Sequence, residues 1–191
     1  MKKLTIYTVV SAAVLTMLVA CGGGSNSDTA PVANATAGSF TADVGTYKTV
    51  CLSDDPGATP PTYSNIIMII DAPTAPDKTT GSAQYQVFTS NTCAVNTKTD
   101  DLTVRGNLTA LGATKTIPVS GAAKAGIAKT ANFAYTGFTL SKGSLSGGLP
   151  IIGATAKVGY LIEGSKLYVL SGSSAADGLP MSFSSGVLTK Q

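Results

Sequence analysis

Nine short runs of alternating or β-branched residues, punctuated by Gly, Pro, Ser, Asn and Asp, fill the chain from residue 45 to residue 190. GTYKTVCL (45–52) sets Tyr47, Thr49 and Cys51 against Lys48, Val50 and Leu52. YSNIIMIID (63–71) is β-branched and continuous, and SAQYQVFTS (82–90) sets Ala83, Tyr85 and Val87 against Gln84, Gln86 and Phe88. DLTVRGNLTAL (101–111) places Leu102, Val104 and Leu108 on one side; ATKTIPVS (113–120) follows after Gly112, with Pro118 marking an edge or an end. The remaining runs are 131–140, 155–164, 165–172 and 180–190, with a tight turn at Glu163-Gly164-Ser165-Lys166. Period-two patterning gives each strand one face to bury. Strands at this spacing, with turn residues between them, predict an all-β fold. No segment carries a useful helical stripe, and 122–131 allows one helical turn at most. The architecture expected is a single antiparallel up-and-down barrel of about eight strands, which removes sheet edges by closure. A two-sheet β-sandwich is the alternative.

The first 38 residues follow different rules. Lys2 and Lys3 precede an apolar stretch, Ile6 to Ala20, that is too short and too interrupted to span a bilayer. This is the layout of a secretory signal peptide. It ends in Leu18-Val19-Ala20-Cys21, which resembles the lipobox of bacterial lipoproteins. The resemblance implies cleavage before Cys21, a diacylglycerol on its thiol and a further acyl chain, commonly palmitate, on its amine. Two or more chains hold a protein stably to a membrane, whereas one binds marginally. Residues 22–38, GGGSNSDTAPVANATAG, are too polar and small to fold, and as a flexible coil they span roughly 20–25 Å. Gly22 stands where Asp would imply inner-membrane retention, so the resemblance points to the outer membrane. Periplasmic face and cell surface both stay open. The expected organisation is a signal peptide at 1–20, a lipidated cysteine and tether at 21–38, and a β-barrel domain at 39–191.

Within that domain the motifs resemble small lipocalin-like barrel lipoproteins of proteobacteria. Gly45-Thr46-Tyr47 is similar to the Gly-x-Trp that opens lipocalin barrels, with Tyr in place of Trp. A cysteine follows, another comes near the end of the third run, and the chain finishes with the hairpin GYLIEGSKLYVL and the stretch Gly178-Leu179-Pro180. The likeness implies an eight-stranded barrel able to enclose a small apolar ligand.

Cys51 and Cys93 are the only cysteines outside the lipobox. In an exported chain they are expected to pair as one disulfide. A zinc site is not expected, because the chain has no His and no C-x-x-C pair. Without Lys2 and Lys3 the formal charge falls from +3 to +1, and the single Arg and absent Trp leave no footprint for nucleic acid.

Catalysis is not expected. The absence of His removes Ser-His-Asp and Cys-His arrangements. Ser120 and Lys124 are one residue too far apart for S-x-x-K. Asp54-Asp55 and Asp100-Asp101 are neighbours on extended chain, so their side chains diverge; they read as solvated turns or strand caps. The glycines at 143, 147, 148 and 153 do not form a phosphate-cradling loop. No cofactor is implied.

The functional expectation is a membrane-tethered module that binds a small apolar ligand or an envelope protein, with a structural accessory role as the alternative. Both faces of Ile66-Ile67-Met68-Ile69-Ile70 are apolar, which suggests a covered outer face or a docking patch. The residues expected nearest a ligand or partner are Tyr47, Ile66, Met68, Ile70, Tyr85 and Phe88.

Overall fold

The computed structural model describes residues 38–55, 59–118, 124–142, 145, 149–184 and 186–191. The expected signal peptide, Cys21, the expected tether up to residue 37 and Ser120 lie outside them. Ten strands follow in order: β1 (Gly45–Lys48), β2 (Leu52–Asp55), β3 (Thr62–Ile70), β4 (Lys78–Phe88), β5 (Lys98–Ile117), β6 (Gly126–Leu140), β7 (Thr155–Glu163), β8 (Lys166–Ser174), β9 (Pro180–Phe183) and β10 (Leu188–Lys190).

All pairings are antiparallel, in the spatial order β1-β10-β8-β7-β6-β5-β4-β3-β2. Strand β1 also pairs with β3, so Tyr47 lies between Lys190 on one side and Met68 on the other. That double pairing closes an up-and-down ring, as the expected barrel requires and a two-sheet sandwich does not. From β8 to β2 each step joins sequence neighbours, and Glu163↔Lys166 is closed by a two-residue turn with Gly164 at φ 58°.

Three expected runs change in detail. The run 45–52 splits into β1 and β2, which lie in line along β3. Thr49 carries the ladder across the break: its N–H donates to the Ile66 carbonyl and its Oγ1 accepts from the Ile66 N–H, both at 3.0 Å. The run 180–190 likewise splits into β9 and β10, both paired with β8. Its register shifts by two residues between Leu170↔Phe183 and Leu167↔Leu188. Conversely, 101–111 and residues 113–117 of the next run belong to one 20-residue strand, β5. Gly112 takes φ 69° within a bulge between Ala110 and Thr114, so its left-handed conformation bends the strand instead of reversing it. The possible helical turn at 122–131 gives way to β6 from Gly126, where β5 and β7 supply backbone partners on both sides.

Register sorts the side chains into layers. Ile66, Tyr85 and Leu102 share one level inside the ring; Met68, Ala83 and Val104 form the next; Ile70, Gly81 and Gly106 form the third. Leu102, Val104 and Leu108 are all buried, as their spacing predicts. One end of the ring is closed by the segment before β1: Phe40 is buried and its N–H donates to the Pro76 carbonyl at 3.1 Å. On the opposite register face, Ile117, Ala128, Leu161, Leu170 and Phe183 form a separate apolar cluster that β9 completes. Cys51, in the break between β1 and β2, is disulfide-bonded to Cys93 in the loop after β4, with Cα atoms 5.6 Å apart.

Candidate functional site

Protein interiors ordinarily pack to crystal-like density, and here small residues prevent it. Gly81 and Ala83 on β4 present almost no side chain to the inside of the ring, opposite Ile70 and Met68. Gly106 on β5 adds none either, and the Phe133 ring lies over it. The missing volume leaves a cavity of about 170 Å³. Its walls include Ile66, Met68, Leu108, Phe133, Val158 and Val169, and none of the described residues lining it is charged.

Polar clusters mark two regions of the wall. At the end closed by Phe40, Lys129 Nζ lies 2.8 Å from both carboxylate oxygens of Asp43 and donates to the Ser39 carbonyl at 3.1 Å. Tyr160 donates to Asp43 Oδ2 at 2.7 Å, and Tyr47 donates to the Asp43 carbonyl at 2.9 Å. Every donor of the ammonium therefore has an acceptor, which is what a buried charge requires. Burial, followed by the hydrogen bond to Asp43, pushes the Tyr160 phenol well above its ordinary pKa. In the second cluster, on β2, β3 and β4, Ser64 donates to Asp54 Oδ1 at 2.5 Å and Tyr85 donates to Asp54 Oδ2 at 3.1 Å. Loss of water raises the Asp54 pKa despite the opposing pull of those two bonds. Burial is also the chief cause of the raised Tyr85 pKa.

Ile66, Met68, Ile70 and Tyr85 come together in the cavity wall, as the alternation of their strands allows. Tyr47 does not line it: the ring is fully buried below, with Lys190 Nζ 5.8 Å from its centroid. Phe88 is buried too, but it sits opposite Tyr63 after a register shift at Val87, on the other face of β4. On β3 the apolar side chains of the outer face are half-buried Ile67 and Ile69, the latter 37% exposed.

The acidic pairs differ from their reading as solvated turns. Asp54 is half-buried in the cluster just described. Asp100 is buried and accepts from Ser141 Oγ at 2.7 Å and from the Lys142 N–H at 3.0 Å. Those donors lie about 40 residues away, beyond the reach of local reading. Lys124, the other member of the rejected Ser-Lys pair, lies 2.7 Å from Glu163.

Leu108, Phe133, Tyr135, Val158 and Tyr160 were not singled out, although they line the cavity. The available signal was small residues, Gly81, Ala83 and Gly106, inside otherwise bulky alternation. Reading it requires the register that places them at adjacent levels.

No family model matches this chain, and no curated protein or solved structure matches it. Function must therefore be read from the chain's own geometry. That geometry offers a closed β wall, an uncharged apolar interior and polar groups already committed to one another at its margins.

Proposed function

We propose that this protein is a lipid-anchored binding module that holds a compact, neutral, apolar molecule inside its ring. The cavity walled by Ile66, Met68, Leu108 and Phe133 carries the reading. An apolar cavity of about 150 Å³ accepts a benzene-sized guest, and this one is of that size. Adhesion to an envelope protein, or an accessory role without a ligand, would favour a filled interior and a broad apolar outer patch. Here Ile66, Met68 and Ile70 turn inward, and Ile69 is left as the exposed isoleucine of that run.

The lipobox at Leu18 to Cys21 supports attachment to the outer membrane through lipid on Cys21, with residues 22–38 as the tether. Binding without turnover is the activity proposed, because the lining holds no charged group to act as acid, base or nucleophile's partner.

Native mass spectrometry of the lipidated chain, purified from its own host and released from detergent in the gas phase, tests the reading. A retained neutral small molecule is expected, and it should be lost in Ala83→Leu, which fills the void. A chain that carries no such molecule and binds no apolar probe would sink the proposal. Cys21→Ala should remain uncleaved and take up no fatty-acid label; normal labelling of that variant would remove the anchor.

A further inference from the structure

Three tyrosines line the cavity: Tyr85, Tyr135 and Tyr160. Two have their hydroxyls committed, Tyr85 to Asp54 and Tyr160 to Asp43. Tyr135 differs. Its register opposite Gly106 directs it into the ring. Its backbone is pinned to the segment just before β7, the N–H donating to the Ala154 carbonyl and the carbonyl accepting from the Gly153 N–H, each at 2.9 Å. Its ring meets Phe133 edge-on, with centroids 5.1 Å apart and planes at 81°. The side chain is thus held in place, yet among the described residues its hydroxyl has no hydrogen-bond partner. Burial alone raises its pKa, with no charge or hydrogen bond contributing.

Resting on the binding reading above, we propose that Tyr135, pinned against Phe133 in a mostly apolar wall without charge among its described residues, is the polar anchor of the site, so that the ligand is a compact neutral hydrocarbon body bearing one hydrogen-bond acceptor. A phenol in this setting loses hydration when the cavity fills. A ligand that accepts from it restores the lost bond, and a pure hydrocarbon does not. An anionic ligand would enter a space with no countercharge in its wall and lose its own hydration without return.

The test uses the full chain in detergent and fluorine-observed NMR with three probes of similar size. Para-fluoroacetophenone carries a carbonyl, para-fluoro-α-methylstyrene carries a methylene in its place, and para-fluorobenzoate carries a charge. Probe partitioning into micelles is common to wild type and variants, so ratios between proteins report the site. The ketone is expected to bind about three- to tenfold tighter than its alkene isostere, the range one net hydrogen bond supplies, and the benzoate not at all. Tyr135→Phe should erase that preference and leave the alkene affinity unchanged, with an unaltered melting temperature showing that the fold is intact. Ser171→Ala, a second hydroxyl of the lining, should keep the preference. Equal binding of ketone and alkene by the wild type, a preference that survives in Tyr135→Phe, or one lost in Ser171→Ala overturns the role of Tyr135 while leaving the cavity as a binding site. Failure of both neutral probes to bind, or binding that persists in Ala83→Leu, overturns the binding reading itself.

Discussion

Lys129 and Asp43 are 86 residues apart in the chain, and each is tolerable in the interior only because of the other. The Asp43 side chain is 3% exposed and that of Lys129 15%. Removing the cation leaves a carboxylate whose remaining side-chain donor is Tyr160. Lys129→Met is therefore expected to destabilise the fold by about 3–5 kcal/mol, and adding Asp43→Asn should recover most of that loss. Guanidinium titration of the two variants checks this; a single variant within about 1 kcal/mol of wild type would contradict a buried pair. Asp54 behaves differently, because its pKa is raised. A carboxyl group that holds its proton more tightly in the folded state adds stability below its unfolded pKa and loses that contribution as the pH rises through the folded value. Compared with Asp54→Asn, the wild type should thus gain stability as the pH falls from neutrality toward 3.8, the ordinary value for the group. Asp177 shifts the opposite way, lowered first by the Leu179 backbone N–H, but it is common to both proteins and cancels in the difference. Parallel melting curves for the two proteins across that pH range would refute the account.

Elements here are long, bent and interrupted where the ring needs curvature. Strand β5 bends at the Gly112 bulge, and the β9–β10 break lets both segments pair with β8 while β9 covers the outer apolar cluster. The wall is interrupted between β1 and β2, where Val50 is 74% exposed. The disulfide sits beside it, joining Cys51 to the loop that links β4 and β5. A bridge across 42 positions is worth roughly 4 kcal/mol through the entropy of the unfolded chain. Cys51→Ser with Cys93→Ser should lower unfolding stability by up to that amount, and reduction of the wild type should match it. An unchanged denaturation midpoint in both would show that the bridge does not constrain the unfolded chain.

The whole molecule depends on its first and last strands meeting. Tyr47↔Lys190 and Lys48↔Thr189 pair across the seam, and the Gln191 N–H donates to the Thr46 carbonyl at 2.9 Å. Leu188, buried, seals the interior at the same place. Removing residues 188–191 would expose the edges of β1 and β8 and open the ring. The truncated chain is expected to self-associate and to lose cooperative unfolding, as read by size-exclusion chromatography and urea titration. A monomeric truncation with the wild-type midpoint would show that closure adds nothing.

The runs 63–71, 82–90 and 101–111 were enough to predict antiparallel strands, and alternation in 82–90 and 101–111 their two faces, because a period of two is a local property of the pleat; a closed ring and a two-sheet sandwich stayed equally compatible with it. Two cysteines within the expected β domain were likewise enough to predict the pairing of Cys51 with Cys93. The interruptions were not legible. Gly112 reads equally as a turn or a bulge until β6 is known to run beside it, and Thr49 gives no local sign that its hydroxyl will carry the ladder. Nor was the site fully legible: Ile66, Met68, Ile70 and Tyr85 could be named from their strands, but Phe133, Tyr135 and the void beside Gly81 and Ala83 follow from register between strands. Cavities, buried ion pairs and the burial of Asp54 and Asp100 are set by what lies opposite in space. Only closure of the ring decides that, because it brings residues distant in the chain within reach of one another.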